Sequence, residues 1–338
     1  MERTLASIQR VLALTPIEGA DRIELATING WQCVVKKGDF KVGDLGVYLE
    51  IDSIPPDVPA FQFLWQKDDV NRPRPAKFRI KTIRLRGVLS QGLFMPLDNS
   101  LNSSSWTEDT DVTELLGVTK YEPVLPAAGQ GEQEGSFPGC IPKTDEVRIQ
   151  SKPKVLDELR GKPWYATLKI DGTSCTFGFD TRNNENFVAS RNWKIRFGDN
   201  KYWNAVGHLL DDVAGLGLIV QGEIAGPGIQ GNPLNLSAPQ FFMFSAFDPY
   251  NGRYLTRAEE DILALSLGIW QVPVVYAGDA FDHTLDELLL MAEGKYPGTN
   301  NEREGLVIRE RDGVESRVLQ GRLSFKVISN KFLLAEKD

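Results

Sequence analysis

Between Asn99 and Pro142 the sequence changes character, and that change constrains the fold more than any other feature. SLNSSSWTEDTD and PAAGQGEQEGSFPGCIP are rich in Ser, Gly, Pro and acidic residues. Such segments resist packing into a core and read as a connector, with VTELLGV between them as a short helix. Before the connector, LASIQRVLALTPI, WQCVVKKG, GDLGVYLEI, FRIKTIRLRGVL and QGLFMPL are β-rich runs punctuated by Gly, Pro and Asp, the pattern of a small barrel. After it, WYATLKIDGTSCTFGF, NFVAS, LGLIVQGEIAG, QFFMFSAFD, GLVIRE and LSFKVI alternate irregularly with helical stretches. LTRAEEDILALSLG, with an expected apolar stripe of Ala258, Ile262, Leu263 and Leu265, and TLDELLLMAEG are the clearest helices. The 338 residues thus divide into an N-terminal β-barrel over 1–125, a linker over 126–143 and an α+β domain over 144–338, in keeping with roughly 100–200 residues per domain.

With 41% hydrophobic and 25% charged residues, both parts bury ordinary cores and the chain is not of the disordered class. No stretch approaches the roughly 20 apolar residues of a membrane helix. The start MERTLASIQR lacks the apolar core of a secretory signal. Cys33, Cys140 and Cys175 are odd in number and far apart, which excludes a disulfide framework or a zinc knuckle. The expectation is a protein without membrane contact, in the cytoplasm or another reducing intracellular compartment.

A net charge of −8 is unfavourable in sum for a polyanionic partner, but its distribution is uneven. Val70 to Leu97 holds Arg72, Arg74, Lys77, Arg79, Lys81, Arg84 and Arg86 without one Asp or Glu. KFRIKTIRLRG places Phe78, Ile80 and Thr82 on one side of a strand and Lys77, Arg79 and Lys81 on the other. Charge alone leaves two readings, a solvated strand face or a phosphate-binding one. IEGADRIELA, VVKKGDFKVGDLGVYL and IRLRGVLSQGLFMPL together resemble an OB-fold of the tRNA-binding-domain type over residues 4–97. That resemblance implies a partly open barrel holding nucleic acid on a strand face.

The strongest chemical signal is Lys169-Ile170-Asp171-Gly172-Thr173, between two strand-like runs. A lysine at a strand end followed by a turn presents its amine to a cleft. It becomes a nucleophile when its pKa is lowered by desolvation or neighbouring positive charge. Ser190-Arg191-Asn192, Gly222-Glu223, Ala246-Phe247-Asp248, Glu304-Gly305-Leu306-Val307 and Phe325-Lys326-Val327 follow in order. As a set these resemble the covalent nucleotidyltransferases, the superfamily of polynucleotide ligases and mRNA capping enzymes. GEIAGPGIQGNP, FSAFD, EGLVIR and SFKVISNKF look most like ATP-dependent RNA ligases, of the type that carries an OB domain before the catalytic domain. The same GPGIQG has the spacing of a dinucleotide fingerprint, but NPLNLSAP follows it in place of a helix, and no phosphate-cradling Walker sequence exists.

The resemblance implies an α+β adenylylation domain on antiparallel sheets and, residue by residue, a set of roles. Lys169 attacks the α-phosphorus of ATP to give lysyl-AMP, and Asp171, Glu223 and Glu304 surround Mg²⁺ or Mn²⁺, directly or through water. Glu223 has ribose hydroxyls as its alternative partner. Leu168, Gly172 and Thr173 belong to the nucleotide site, Phe247 stacks on adenine in preference to Phe244, and Arg309 and Lys326 hold phosphates. Arg191 contacts a phosphate of AMP or of the RNA, Arg148 reaches the RNA 5′-phosphate or the nucleotide, and Arg79, Lys81, Arg84 and Arg86 grip the RNA backbone. The implied partner is RNA with 3′-OH and 5′-phosphate ends, in a nicked duplex, met by a monomer. The relatives' second lysine, two residues after Lys326, is Ile328 here. His208, His283 and Cys175 read as packing or surface residues. A DNA ligase, a GTP-using capping enzyme and an inactive nucleic-acid-binding protein are the alternatives.

Overall fold

The computed structural model describes residues 3–65, 77–97, 106–122 and 132–335. Arg72, Arg74 and the 126–131 part of the expected linker lie outside these residues. The chain forms two compact units, one of Met1–Val124 with Gln150–Pro153 and Leu333–Asp338, the other of Leu125–Ile149 and Lys154–Phe332.

The strands of the first unit are β1 (Ala6–Pro16), β2 (Ile23–Ile28), β3 (Trp31–Lys36), β4 (Leu45–Leu49), β5 (Ser53–Ile54), β6 (Thr82–Leu85), β7 (Val88–Gln91), β8 (Leu93–Pro96) and β9 (Thr119–Lys120). Five make one antiparallel sheet in the order β3-β2-β1-β4-β8. β1 changes partner midway: Ala6–Arg10 pairs with β4 and Val11–Pro16 with β2, across an irregularity between Val11 and Ala13. Such a bulge bends a strand and raises its twist, which curls the sheet into the OB-like form. Ile8, Val47, Leu49, Phe61 and Val112 fill its interior.

Two local expectations fail here. Residues 77–81 are not a strand. Instead the Ile80 N–H donates to Ser53 and its carbonyl accepts from Asp52 at 2.8 Å, although Ile80 and Thr82 are buried as the alternation requires. VTELLGV forms turns over 113–117, closed by Gly117 at φ +64°, a conformation that ends a helix before it grows.

The second unit carries β10 (Gln133–Ser136), β11 (Val147–Arg148), β12 (Trp164–Lys169), β13 (Thr173–Asp180), β14 (Glu185–Ala189), β15 (Trp193–Ile195), β16 (Ile219–Ala225) and β17 (Gln240–Asp248). It continues with β18 (Arg253–Tyr254), β19 (Trp270–Gln271), β20 (Val274–Gly278), β21 (Gly305–Glu310), β22 (Glu315–Ser316), β23 (Gly321–Arg322) and β24 (Ser324–Ile328). An eight-stranded sheet runs β10-β15-β14-β13-β16-β17-β18, with β19 beside β17, and a five-stranded sheet runs β11-β24-β21-β12-β20. Both are antiparallel apart from the β11–β24 and β17–β19 pairs.

Alternation decides what each sheet offers a ligand. In the larger sheet Cys175, Phe177, Val220, Ile224 and Met243 pack with Tyr202, Val213 and Leu263 from helices Lys201–Val206, Leu210–Gly215 and Arg257–Leu267. In the smaller one Ala166, Leu168, Leu306, Ile308, Phe325 and Val327 pack with Leu159 and Leu288. The intervening residues, among them Lys169, Glu223, Arg309 and Lys326, therefore occupy the opposite faces.

Helix Arg257–Leu267 starts at a Thr256–Glu259 capping box and stops at Gly268, φ 63°. Its buried residues are Glu260, Leu263 and Ala264, while Ile262 and Leu265 are 70% and 85% exposed and Ala258 is exposed too. The expected stripe is thus rotated. Glu260 faces inward because Arg322 meets it at 3.4 Å, and a paired charge occupies a position that hydrophobicity alone assigns to an apolar residue. Leu263→Ala is expected to cost about 2–4 kcal/mol in denaturant unfolding of this unit, and Leu265→Ala less than about 0.5 kcal/mol. Equal losses would contradict this packing.

Candidate active site

β12 ends at Lys169, and after three intervening residues β13 leads away in the other sheet. The intervening Ile170 is buried with Ala225, Phe242 and Val272, which fixes the crossing and leaves the flanking Lys169 and Asp171 half-buried. Lys169 Nζ donates to Glu304 Oε2 at 2.8 Å, from the residue that precedes β21. Gly305 opens that strand at φ +153°, where a Cβ would stand 2.1 Å from the Val327 carbonyl, so only glycine lets the strands approach this closely. A Cβ on Gly172 would meet the Ile224 carbonyl at 2.4 Å and Glu223 Cγ at 2.9 Å. The Asp-Gly turn therefore lies directly against Glu223.

These charges act on one another. Burial lowers the Lys169 pKa, but the charges of Glu304, Glu223 and Asp171, with the hydrogen bond to Glu304, outweigh it and hold the ammonium above its ordinary range. Loss of hydration pushes Glu223 up to about 8, opposed by Lys169 and reinforced by Glu304 and Asp171. The lowered lysine pKa expected from the sequence is therefore not a property of these protein groups alone. Among the described residues no three His, Cys, Asp or Glu side chains converge as direct ligands for a metal ion.

The five-stranded sheet brings further expected residues to the same side. Register sets Lys169 opposite Gly305, Val307 opposite Lys326, and Arg148 beside Lys326, with Lys326 and Arg148 half-buried. Arg191 pairs with Asp145, Nε to Oδ2 3.3 Å, and its charge reaches Glu223.

Several expected side chains face elsewhere. Leu168 is buried in the core of the smaller sheet, its amide bonded to the Pro273 carbonyl at 2.9 Å. The Thr173 hydroxyl meets that of Tyr202 at 3.0 Å, and Ser174, cross-strand to Glu223, is the neighbour on the site's face. Phe247 is buried among Ile141, Phe187, Ala189 and Ile219, edge-on to Tyr254. The sequence argument assumed regular alternation between Phe244 and Phe247. β17 instead shifts register, pairing Ser245 with Gln221 but Met243 with Gly222, so Phe244 is the extra residue of a bulge. Half-buried Phe244 packs against the cluster that contains Ile170.

Arg309 is 3% exposed and spends its donors on protein: Ser324 Oγ at 3.1 Å, Glu146 Oε1 at 3.1 Å and the Phe244 carbonyl. It organises Phe244 from a buried position, with each of its three nitrogens already bonded to protein. In the first unit, Arg79 bonds Asp52 at 2.6 Å and lies over the Tyr121 ring. Arg84 and Arg86 are exposed on the β6–β7 hairpin and Lys81 is half-buried. Sequence reasoning missed Tyr296, whose hydroxyl touches the Lys169 carbonyl and the Asp171 and Glu304 amides. It lies in no strand or helix, in the segment KYPGTNNER ahead of Glu304, and the only sequence signal is an aromatic in an otherwise polar, turn-rich run.

The raised Glu223 pKa has a definite sign in stability. Unfolded, the carboxyl loses its proton near 4.5; folded, it holds it until about 8. Between these values the folded state binds more protons, so stability falls as pH rises. In thermal unfolding without divalent cations, Glu223→Gln should gain on the wild type progressively from pH 5 to 8. A pH-independent difference would show that Glu223 ionises normally.

A family model described as an OB-fold domain matches residues 5–97 and one described as RNA ligase matches 162–328. No curated protein sequence matches the chain. Among solved structures, Naegleria gruberi RNA ligase with PPi is 37% identical over 98% of each chain, with a TM-score of 0.86. A lysine-to-alanine mutant of that ligase with ATP and Mn is 36% identical over 97% of this chain and 98% of that one, TM-score 0.85. A glutamate-to-alanine mutant, also with ATP and Mn, is 37% identical over 99% and 100%, TM-score 0.88. Identity at this level along the whole of both chains makes this protein a member of the RNA ligase family.

Proposed function

We propose that this protein is an ATP-dependent RNA ligase that joins RNA 3′-OH and 5′-phosphate ends in nicked duplexes, through a lysyl-AMP intermediate and an adenylylated 5′ end. The observation that carries this reading is the contact of Lys169 Nζ with Glu304 at 2.8 Å, beside Glu223 and Asp171, in a chain whose similar structures include complexes with ATP and Mn. Residues 1–125 act as the RNA-gripping module and 144–338 as the nucleotidyltransferase, whose eight-stranded sheet also takes in β10 (Gln133–Ser136) from the segment 126–143 that the sequence marks as a linker. The protein works as a monomer in a reducing intracellular compartment, a setting that suits its free cysteines.

Lys169 is the nucleophile. Its ammonium first loses a proton, and Glu304 is the group in direct contact with that proton. The freed Nζ lone pair forms the bond to the α-phosphorus of ATP, the bond to the bridging oxygen breaks, and pyrophosphate departs with the electron pair. An oxygen of the RNA 5′-phosphate then attacks the AMP phosphorus, and Lys169 leaves and regains its proton. Finally the 3′-OH, losing its proton, attacks the RNA phosphorus and AMP leaves.

Asp171, Glu223 and Glu304 fit a divalent cation, Mg²⁺ or Mn²⁺, because three acidic groups around one lysine leave excess negative charge. They would hold it directly or through the water such a cation retains. When bound, the cation offsets charge on the α-phosphate oxygens and the leaving pyrophosphate. Gly172 lets the reactive turn close against Glu223 and the Ile224 backbone, Lys326 serves the phosphates, and Arg148 and Arg191 serve the RNA 5′-phosphate. Phe244, in place of Phe247, offers its ring to adenine. Lys81, Arg84 and Arg86 contact the RNA backbone, and Arg79 braces the barrel.

Incubation with Mg²⁺ and α-³²P-labelled ATP should leave label on denatured protein, and Lys169→Met should abolish it. Label from GTP would move the assignment to capping, and a preference for DNA nicks would move it to DNA joining. No label with Mg²⁺ or Mn²⁺ would leave a binding protein. For the barrel, Arg84→Ala and Arg86→Ala should each lower the salt dependence of RNA binding by about one phosphate contact. Arg79→Ala should instead lower stability. An unchanged slope in both hairpin variants would move the RNA surface elsewhere.

A further inference from the structure

We propose that Tyr296 is the positioning residue that holds the nucleophile and its acidic partner in register. The inference rests on Lys169 as the nucleophile. Tyr296 is 1% exposed. Its hydroxyl donates to the Lys169 carbonyl at 2.8 Å and accepts from the Asp171 amide at 3.0 Å and the Glu304 amide at 3.2 Å. A phenol has one proton to give and two lone pairs, so this oxygen is fully used.

The three backbone groups share a predicament. β12 ends at Lys169 and β13 begins at Thr173, while Glu304 lies just ahead of β21, so the Asp171 and Glu304 amides stand beyond their ladders. Amides shielded from water and left without partners are destabilising. One oxygen answers both and ties them to the Lys169 carbonyl, so the exit of the nucleophile's strand and the entry of its partner's strand are bonded to the same atom.

The ring itself is anchored. The Tyr296 N–H donates to the Asn301 carbonyl at 3.0 Å and its carbonyl accepts from Thr299 N–H at 3.1 Å. Arg303 fastens the same segment to the end of helix Leu285–Ala292, through the Ala292 carbonyl at 3.1 Å and the Glu293 carbonyl at 2.8 Å. The side-chain contact between Lys169 and Glu304 is therefore set from the backbone, by a group outside the strands that carry it. Attack by Lys169 depends on that geometry, since a displacement of about 1 Å costs about 100-fold in rate.

The test compares wild type and Tyr296→Phe in two reactions of the full chain. The first is single-turnover formation of lysyl-AMP across a range of ATP concentrations. The second is sealing of a nick whose 5′ end is already adenylylated, which bypasses attack by Lys169. The expected result is a lysyl-AMP rate constant at least ~10-fold lower at saturating ATP, with half-saturation within about 2-fold and sealing of the adenylylated nick changed less than about 3-fold. An unchanged rate constant, a loss carried by ATP affinity, or an equal loss in both reactions would overturn the positioning role. Should Tyr296→Phe fail to fold, 3,5-difluorotyrosine at 296 keeps the shape and weakens the oxygen as an acceptor. It should then slow lysyl-AMP formation several-fold with the same split, and wild-type kinetics would refute the proposal. Failure of the wild type to form lysyl-AMP would refute the ligase reading instead.

Discussion

One ammonium among three carboxylates is the constraint around which the second unit is organised. Lys169 comes from one sheet, Glu223 from the other, and Glu304 and Asp171 from the ends of strands. Each would be costly in a half-buried site without the others. Holding them together demands close backbone approach, which explains glycine at 172 and 305. It also demands a joint between the sheets. Ile170, Ala225, Phe242 and Val272 supply an apolar one, and Arg309 supplies a polar one by bonding the Phe244 carbonyl and Ser324.

The resting electrostatics and the chemistry pull in opposite directions. The carboxylates that keep Lys169 charged are also those suited to a divalent cation. Arrival of a cation and release of the lysine proton are therefore thermodynamically linked, each favouring the other. The raised Glu223 pKa belongs to the same linkage, for a cation competes with its proton.

The strands were legible in the sequence because alternation and turn residues carry them: β12, β16, β17, β21 and β24 fall within the runs read as strands, and β13 runs one residue past its own. Lys169, Asp171, Glu223 and Glu304 were legible as a set by order and type. Orientation was less so. Leu168 and Thr173 flank the reactive turn, but alternation sends the first to the core and Tyr202 claims the second. Phe244 and Phe247 could not be ranked, because a one-residue bulge reverses the parity on which the choice rested. Arg309 reads as a free cation until its neighbours Glu146, Ser324 and Phe244 are known, and these lie 163, 15 and 65 residues away. The basic run at 77–86 was visible, but Asp52 takes Arg79 out of it. The rotated face of helix Arg257–Leu267 has the same cause, since Arg322 makes room for a buried Glu260.

The pairing of Lys169 with Glu304 spans 135 residues, and this separation bears on how the protein comes into being. β1, β2, β3 and β4 pair within the first 49 residues, so most of the barrel's sheet closes through short loops as the chain emerges from the ribosome. β12 must wait for β21. Until then the strand that ends at Lys169 keeps an open edge, and Lys169 stands without its acidic partner. The Lys169–Glu304 cluster is thus among the last parts of the chain to form, and a chain cut short before Glu304 has the barrel's sheet without that cluster.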